Sequence, residues 1–152
     1  MKTAGLLSAA LLAVGALRPV TLAALQEDVR ILGAIAAVES GHDHRAVGDR
    51  GASLGAWQMQ RIAWDDANNH RRRLGLPQHP RSSWHDPAVQ QDMAASFLRL
   101  IRQRFAAHGI ARPTVQQIAV VWNRGWDAAR RTGFRPSDYA ERVANVYRLQ
   151  GS

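Results

Sequence analysis

Residues 25–41 read Leu-Gln-Glu-Asp-Val-Arg-Ile-Leu-Gly-Ala-Ile-Ala-Ala-Val-Glu-Ser-Gly, and the spacing in that stretch decides the fold class. Apolar side chains recur at steps of three and four, which lays them along one face of an α-helix. Val29, Leu32, Ile35 and Val38 are expected to form the inner face of a first helix running from about Leu25 to Glu39. Glu39 comes four residues after Ile35, so it borders the apolar stripe, and Ser40-Gly41 ends the helix. Two influences push a carboxyl in that position toward its protonated form: the apolar flank and the negative end of the helix dipole. A raised pKa is what a proton donor needs near neutral pH.

The same helical period continues down the chain. Asp86-Pro87 supplies an N-cap followed by proline at the first helical position. Val89, Met93, Phe97, Leu100, Ile101 and Phe105 then fall on one face before Gly109. Thr114 and Gln117 have capping-box spacing ahead of a helix through Trp122 that Gly125 closes. Ser137 can cap a last helix bearing Tyr139, Val143, Val146 and Tyr147. From Gly41 to Gly55 inclusive come four glycines, which read as a loop and a tight turn, with a second helix starting near Ser53 or Gly55 and reaching Arg71-Arg72-Arg73. No run of alternating polarity reads as a strand. The fold expected is all-α.

Composition narrows the partners. The chain has 152 residues, enough for one domain with its own core. Lys and Arg number 20 against 12 Asp and Glu, a formal net charge of +8 that is nearly all arginine. That balance favours an anionic partner. Without cysteine, disulfides, thiol chemistry and Cys-based metal sites are excluded. His42-x-His44 has no third ligand at a characteristic spacing, so neither a metal nor any other cofactor is expected. Arg71 to Arg73 reads as a solvated helix face, and no recognised nucleic-acid motif accompanies it. Lys2 followed by the uncharged run Ala4 to Leu17, then Arg18-Pro19 and small residues, has the plan of a secretory signal peptide. The run is shorter than the roughly 20 residues of a comfortable membrane span. Residues 1–24 are therefore expected to be an export signal, or a signal anchor, and residues 25–152 the working domain.

Four short motifs follow one another in order: Glu39-Ser40-Gly41; Gly51-Ala52-Ser53-Leu54-Gly55-Ala56-Trp57-Gln58-Met59; Ala119-Val120-Val121-Trp122-Asn123-Arg124-Gly125; and Tyr139-Ala140-Glu141-Arg142-Val143. Together they resemble the lytic transglycosylase family related to goose-type lysozyme, over about residues 29 to 147. The resemblance implies a lysozyme-like single domain that cuts the bond between N-acetylmuramic acid and N-acetylglucosamine in peptidoglycan. It makes Glu39 the acid that protonates the leaving oxygen and Tyr139 a hydrogen-bonding neighbour of that acid. Gly48 stands where family members often carry serine, which makes Ser53 the substitute donor to substrate. Trp122 stands where tyrosine is commoner. Ser53-x-Gly55-x-x-Gln58 with Trp64-x-Asp66 also resembles the corresponding segment of invertebrate-type lysozymes, and the second carboxylate of those enzymes would then be Asp49.

Trp57, Gln58 and Asn123 complete the expected substrate-binding set. Each also has a plainer reading: core packing for Trp57, loop bracing for Gln58 and helix capping for Asn123. The reading that follows is an exported enzyme, periplasmic or extracellular, monomeric and without a stable membrane span after cleavage. It would act on peptidoglycan glycan strands and leave 1,6-anhydro ends. Two alternatives stay open: a hydrolytic lysozyme that uses Asp49, and a wall-binding protein without turnover. A basic DNA-binding helical protein is a third class.

Overall fold

The structure, a computed structural model, describes residues 21–151. It is mostly helical, with one small two-stranded sheet. Helix α1 spans Leu22–Ser40, β1 Val47–Gly48, β2 Ser53–Leu54, α2 Arg61–Arg73, α3 Pro87–Ala107, α4 Val115–Arg124, α5 Trp126–Arg131 and α6 Asp138–Leu149. The export signal expected over residues 1–24 lies almost wholly outside the described residues. Its expected boundary falls inside α1, which starts at Leu22, where the Thr21 hydroxyl accepts from the Ala24 amide at 3.2 Å.

Helix α3 is the core. Met93, Phe97, Leu98, Leu100, Ile101 and Phe105 are buried along it, each removing roughly 1.5–3 kcal/mol worth of apolar side chain from water. Its start is as the sequence predicts, with the Asp86 carboxylate accepting from the Ala88 amide. Helix α2 packs on α3, while α1 and α4 both pack on α6. The Thr114–Gln117 capping box forms in full, and Ser137 caps α6 through the Ala140 amide.

Four features depart from expectation. First, the inner face of α1 is Ile31, Leu32, Ala34, Ile35 and Ala36, whereas Val29 is exposed. Small alanines let neighbouring helices approach, so the buried stripe is wider than the one expected; Val38 packs against the core as expected and Val29 does not. Second, Ser53–Leu54 is a strand paired antiparallel with Val47–Gly48, and α2 begins only at Arg61. Two-residue strands are too short to show alternating polarity. Third, α5 is a separate six-residue helix after Gly125. Fourth, Arg71 is buried: its guanidinium donates to Pro77 O and Ser96 Oγ, tying α2 to α3 and to the loop between them. Only Arg72 and Arg73 form a solvated face.

Candidate active site

The α1 helix carries Glu39 one residue before its end. Gly41 follows in the left-handed region at φ 64°, and the His42 amide reaches back to Ala36 O at 3.1 Å, so the chain turns sharply away. Ser40 fixes that exit: its hydroxyl donates to Ala56 O at 2.8 Å and accepts from the Asp43 amide at 3.0 Å. The end of α1 is thereby clamped to the turn that follows β2.

Glu39 is half-buried, and across from it α6 presents Tyr139, whose hydroxyl donates to Glu39 Oε1 at 2.7 Å. Burial holds the Glu39 carboxyl above the usual carboxylate range. The Tyr139 hydrogen bond opposes that rise, the Asp49 charge adds to it, and Arg142 opposes it. Tyr139 itself is pushed far up by burial and then by the charge of Glu39, so its proton stays on the phenol. Desolvation therefore dominates at Glu39, and Tyr139 orients the carboxyl more than it neutralises it.

Asp49 belongs to the other wall. It sits at the tip of the β1–β2 hairpin with φ 48°, followed by Arg50 at φ 55°, and it is exposed. The Ser53 hydroxyl, itself buried, donates to Asp49 Oδ2, and the Gln60 amide donates to the same oxygen at 3.3 Å. Glu39, Asp49, Ser53, Gln58, Trp122 and Asn123 line one cleft with about 180 Å³ of solvent-accessible space. Sequence-expected residues from three separate segments thus meet in one place.

The surroundings of the individual residues differ. Trp57 is core: its indole N–H donates to Leu32 O at 2.9 Å and its side chain is buried beneath the cleft, so its ring offers no face to a sugar. Trp122 lines the cleft instead, half-buried, edge-on to Phe97 with ring centroids 5.1 Å apart. Gln58 touches the cleft but spends its amide N–H groups on Gly55 O and Ala46 O, at 2.9 and 3.3 Å, which makes it a brace of the hairpin. A Cβ on Gly48 would collide with Gln58 Oε1, so Gly48 and Gln58 form a matched pair. Ser53 donates to Asp49 rather than pointing a free hydroxyl into the cleft. Asn123 is exposed at the cleft, and α4 is capped by the Gly125 amide on Val121 O, so Asn123 is not consumed by capping.

Gln90 is the residue that sequence reasoning missed. It is 3% exposed on the α3 face that carries Met93 and Phe97. Its Oε1 accepts from the Ala56 amide at 2.9 Å and lies 3.1 Å from His44 Nδ1, while Nε2 donates to His44 O and Trp84 O. The signal was a polar residue one turn before Met93 in an otherwise apolar stripe. Gly55, at φ 76°, leaves the room that Gln90 occupies, since any Cβ there would overlap the amide. With Nδ1 of His44 committed to Gln90, the His42-x-His44 pair is loop structure. Among the described residues no group of three or more His, Asp or Glu is placed to hold a metal ion.

Fold and site together define a small helical domain that presents one desolvated, phenol-braced carboxyl in a cleft of mixed polar and apolar lining. No protein-family model, curated protein or solved structure gives a significant match to the chain. Among the described residues no helix is long and apolar enough to cross a membrane.

Proposed function

We propose that the chain is an exported peptidoglycan lytic transglycosylase with a lysozyme-like fold and a single catalytic carboxyl, Glu39. The observation that carries this reading is the 2.7 Å hydrogen bond from Tyr139 to a half-buried Glu39 whose pKa burial raises. Protonated Glu39 gives its proton to the glycosidic oxygen between N-acetylmuramic acid and N-acetylglucosamine as the C1–O bond breaks. The acetamido oxygen of the muramic residue attacks C1 and takes up the positive charge. Glu39, now a carboxylate, removes the proton from the C6 hydroxyl. That oxygen attacks C1, expels the acetamido oxygen and closes a 1,6-anhydro ring, returning Glu39 to its starting form. Trp122 supplies an aromatic wall for a sugar ring, and Asn123 a hydrogen-bonding amide.

A second reading, hydrolysis, has one observation in its favour: Asp49 shares the cleft and its charge acts on Glu39. Water would then be activated by Asp49 at C1. Against it stands the hydrogen-bonding of Asp49 to Ser53 and Gln60, which fits a hairpin anchor.

The test is release of soluble fragments from purified sacculi by the chain and by its Glu39→Gln variant. Glu39→Gln keeps the size and the acceptor for Tyr139 and removes the transferable proton. Solubilisation by the first and none by the second is expected; equal solubilisation would remove Glu39 from the mechanism.

A further inference from the structure

The Glu39 cleft does not end at Asn123. Ile62, Phe97, Arg124 and Gly125 line it and also line a second, wider cavity of about 580 Å³ that runs on past the start of α5. The walls of this arm are Arg104, Arg124, Arg131 and the half-buried ring of Trp126, with Asp66 and Asp127 as its acidic members. Asp66 is paired with Arg104 at 2.9 Å. The side chains of Arg124 and Arg131 are exposed and have neither an ion pair nor a hydrogen bond within the described residues. Trp126 is held in place from behind by Phe105 and Phe134, at centroid distances of 5.1 and 5.2 Å. A fixed indole beside two unpaired guanidinium groups suits a ligand that is part apolar and part carboxylate.

We infer that this arm is a second subsite, which takes a carboxylate-bearing peptide attached to the saccharide held at Glu39. Continuity of the two cavities is the reason for an attached group: a branch of whatever occupies the cleft can reach the arm. In the substrate proposed above, on which this inference rests, that branch is the peptide stem carried by the muramic residue. Arg124 stands at the junction and Arg131 farther out, so the stem carboxylates meet one guanidinium after another. The arm converts the net positive charge of the chain from a general attraction to an acidic wall into a local choice of strand.

The experiment measures binding of the full-length Glu39→Gln protein, which cannot turn over, to soluble glycan strands bearing peptide stems and to the same strands stripped of stems by an amidase. Stem-bearing strands should bind about tenfold more tightly. Adding Arg131→Glu should weaken that binding by about tenfold while changing binding to stripped strands less than twofold. Arg131→Gln should fall between the two. The exposure and lack of partners of Arg131 leave the fold intact, which circular dichroism checks. Equal affinity for the two strands, or equal weakening of both by Arg131→Glu, overturns the subsite. The outcomes also separate this inference from the proposed activity. Lysis of sacculi without stem preference removes the subsite alone, stem preference without lysis removes the enzymatic reading alone, and no binding to either strand together with no lysis removes both.

Discussion

Two carboxyl groups face the same cleft from opposite kinds of backbone. Glu39 stands at the end of a long helix, clamped by Ser40 and braced by a phenol from α6; Asp49 stands at the exposed tip of a hairpin whose strands are two residues each. The first is held where its charge is poorly solvated, and the second is left in water with two hydrogen-bond donors on one oxygen. Proton donors come from the first kind of place. A cleft with one carboxyl of each kind is asymmetric by construction: Glu39 is placed as a proton donor, and Asp49 is tied to the hairpin by Ser53 and Gln60.

The comparison breaks first at the level of rate. Glu39→Gln should cut the lytic rate by about 10³-fold or more, whereas Asp49→Asn should leave it within about tenfold. A loss from Asp49→Asn as large as that from Glu39→Gln, in digestion of sacculi, would make the two carboxyls partners and favour the hydrolytic reading.

The hairpin wall depends on Gln90 more than on its own strands. Gln90→Ala removes the partners of the Ala56 amide and of two carbonyls at once, and should cost about 3 kcal/mol of stability in denaturant titration. A cost under about 0.5 kcal/mol would mean that the wall is held by something else.

Tyr139 sharpens the Glu39 side. Its hydrogen bond favours the charged carboxylate, so Tyr139→Phe should raise the Glu39 pKa further and move the alkaline limb of the rate profile to higher pH. Loss of orientation should lower the maximal rate by about tenfold at the same time. Asp49→Asn acts in the opposite direction on the limb, by less, because it removes a charge that raises the Glu39 pKa. Limbs that stay put in both variants would show that another group titrates.

The smallest effect is on stability. Because the folded-state pKa of Glu39 lies above the ordinary value, the folded chain binds protons more readily than the unfolded chain there. This group therefore opposes folding increasingly as pH rises from the ordinary carboxyl range through the raised pKa. Glu39→Gln should accordingly raise Tm at pH 7, and the gain should shrink as pH falls from the raised pKa into the ordinary carboxyl range and be gone below it. A gain that is constant with pH would contradict the desolvated carboxyl.

Much of this was legible in the residues themselves. Asp86-Pro87, the Thr114–Gln117 box and Ser137 start their helices as read, because capping is a local interaction between residues two or three apart. The end of α1 was legible in Ser40-Gly41, and the nearness of Tyr139 to Glu39 was an implication of the family resemblance. What stayed hidden depends on contacts across the fold. The hairpin is too short to have a period, the apolar stripe marks Gln90 as out of place but not its partners His44, Ala56 and Trp84, and burial of Arg71 requires Pro77 and Ser96 to arrive from elsewhere. Trp57 and Trp122 show the same limit: both tryptophans belonged to motifs, yet only packing decides that Trp57 lies under the cleft and Trp122 along it.

The most direct test of a single working carboxyl is mass spectrometry of the fragments released from purified sacculi. Muropeptides ending in 1,6-anhydro-N-acetylmuramic acid, absent from the Glu39→Gln digest, are the result this account predicts. Fragments with only reducing ends, or no fragments from the unmodified chain, would contradict it.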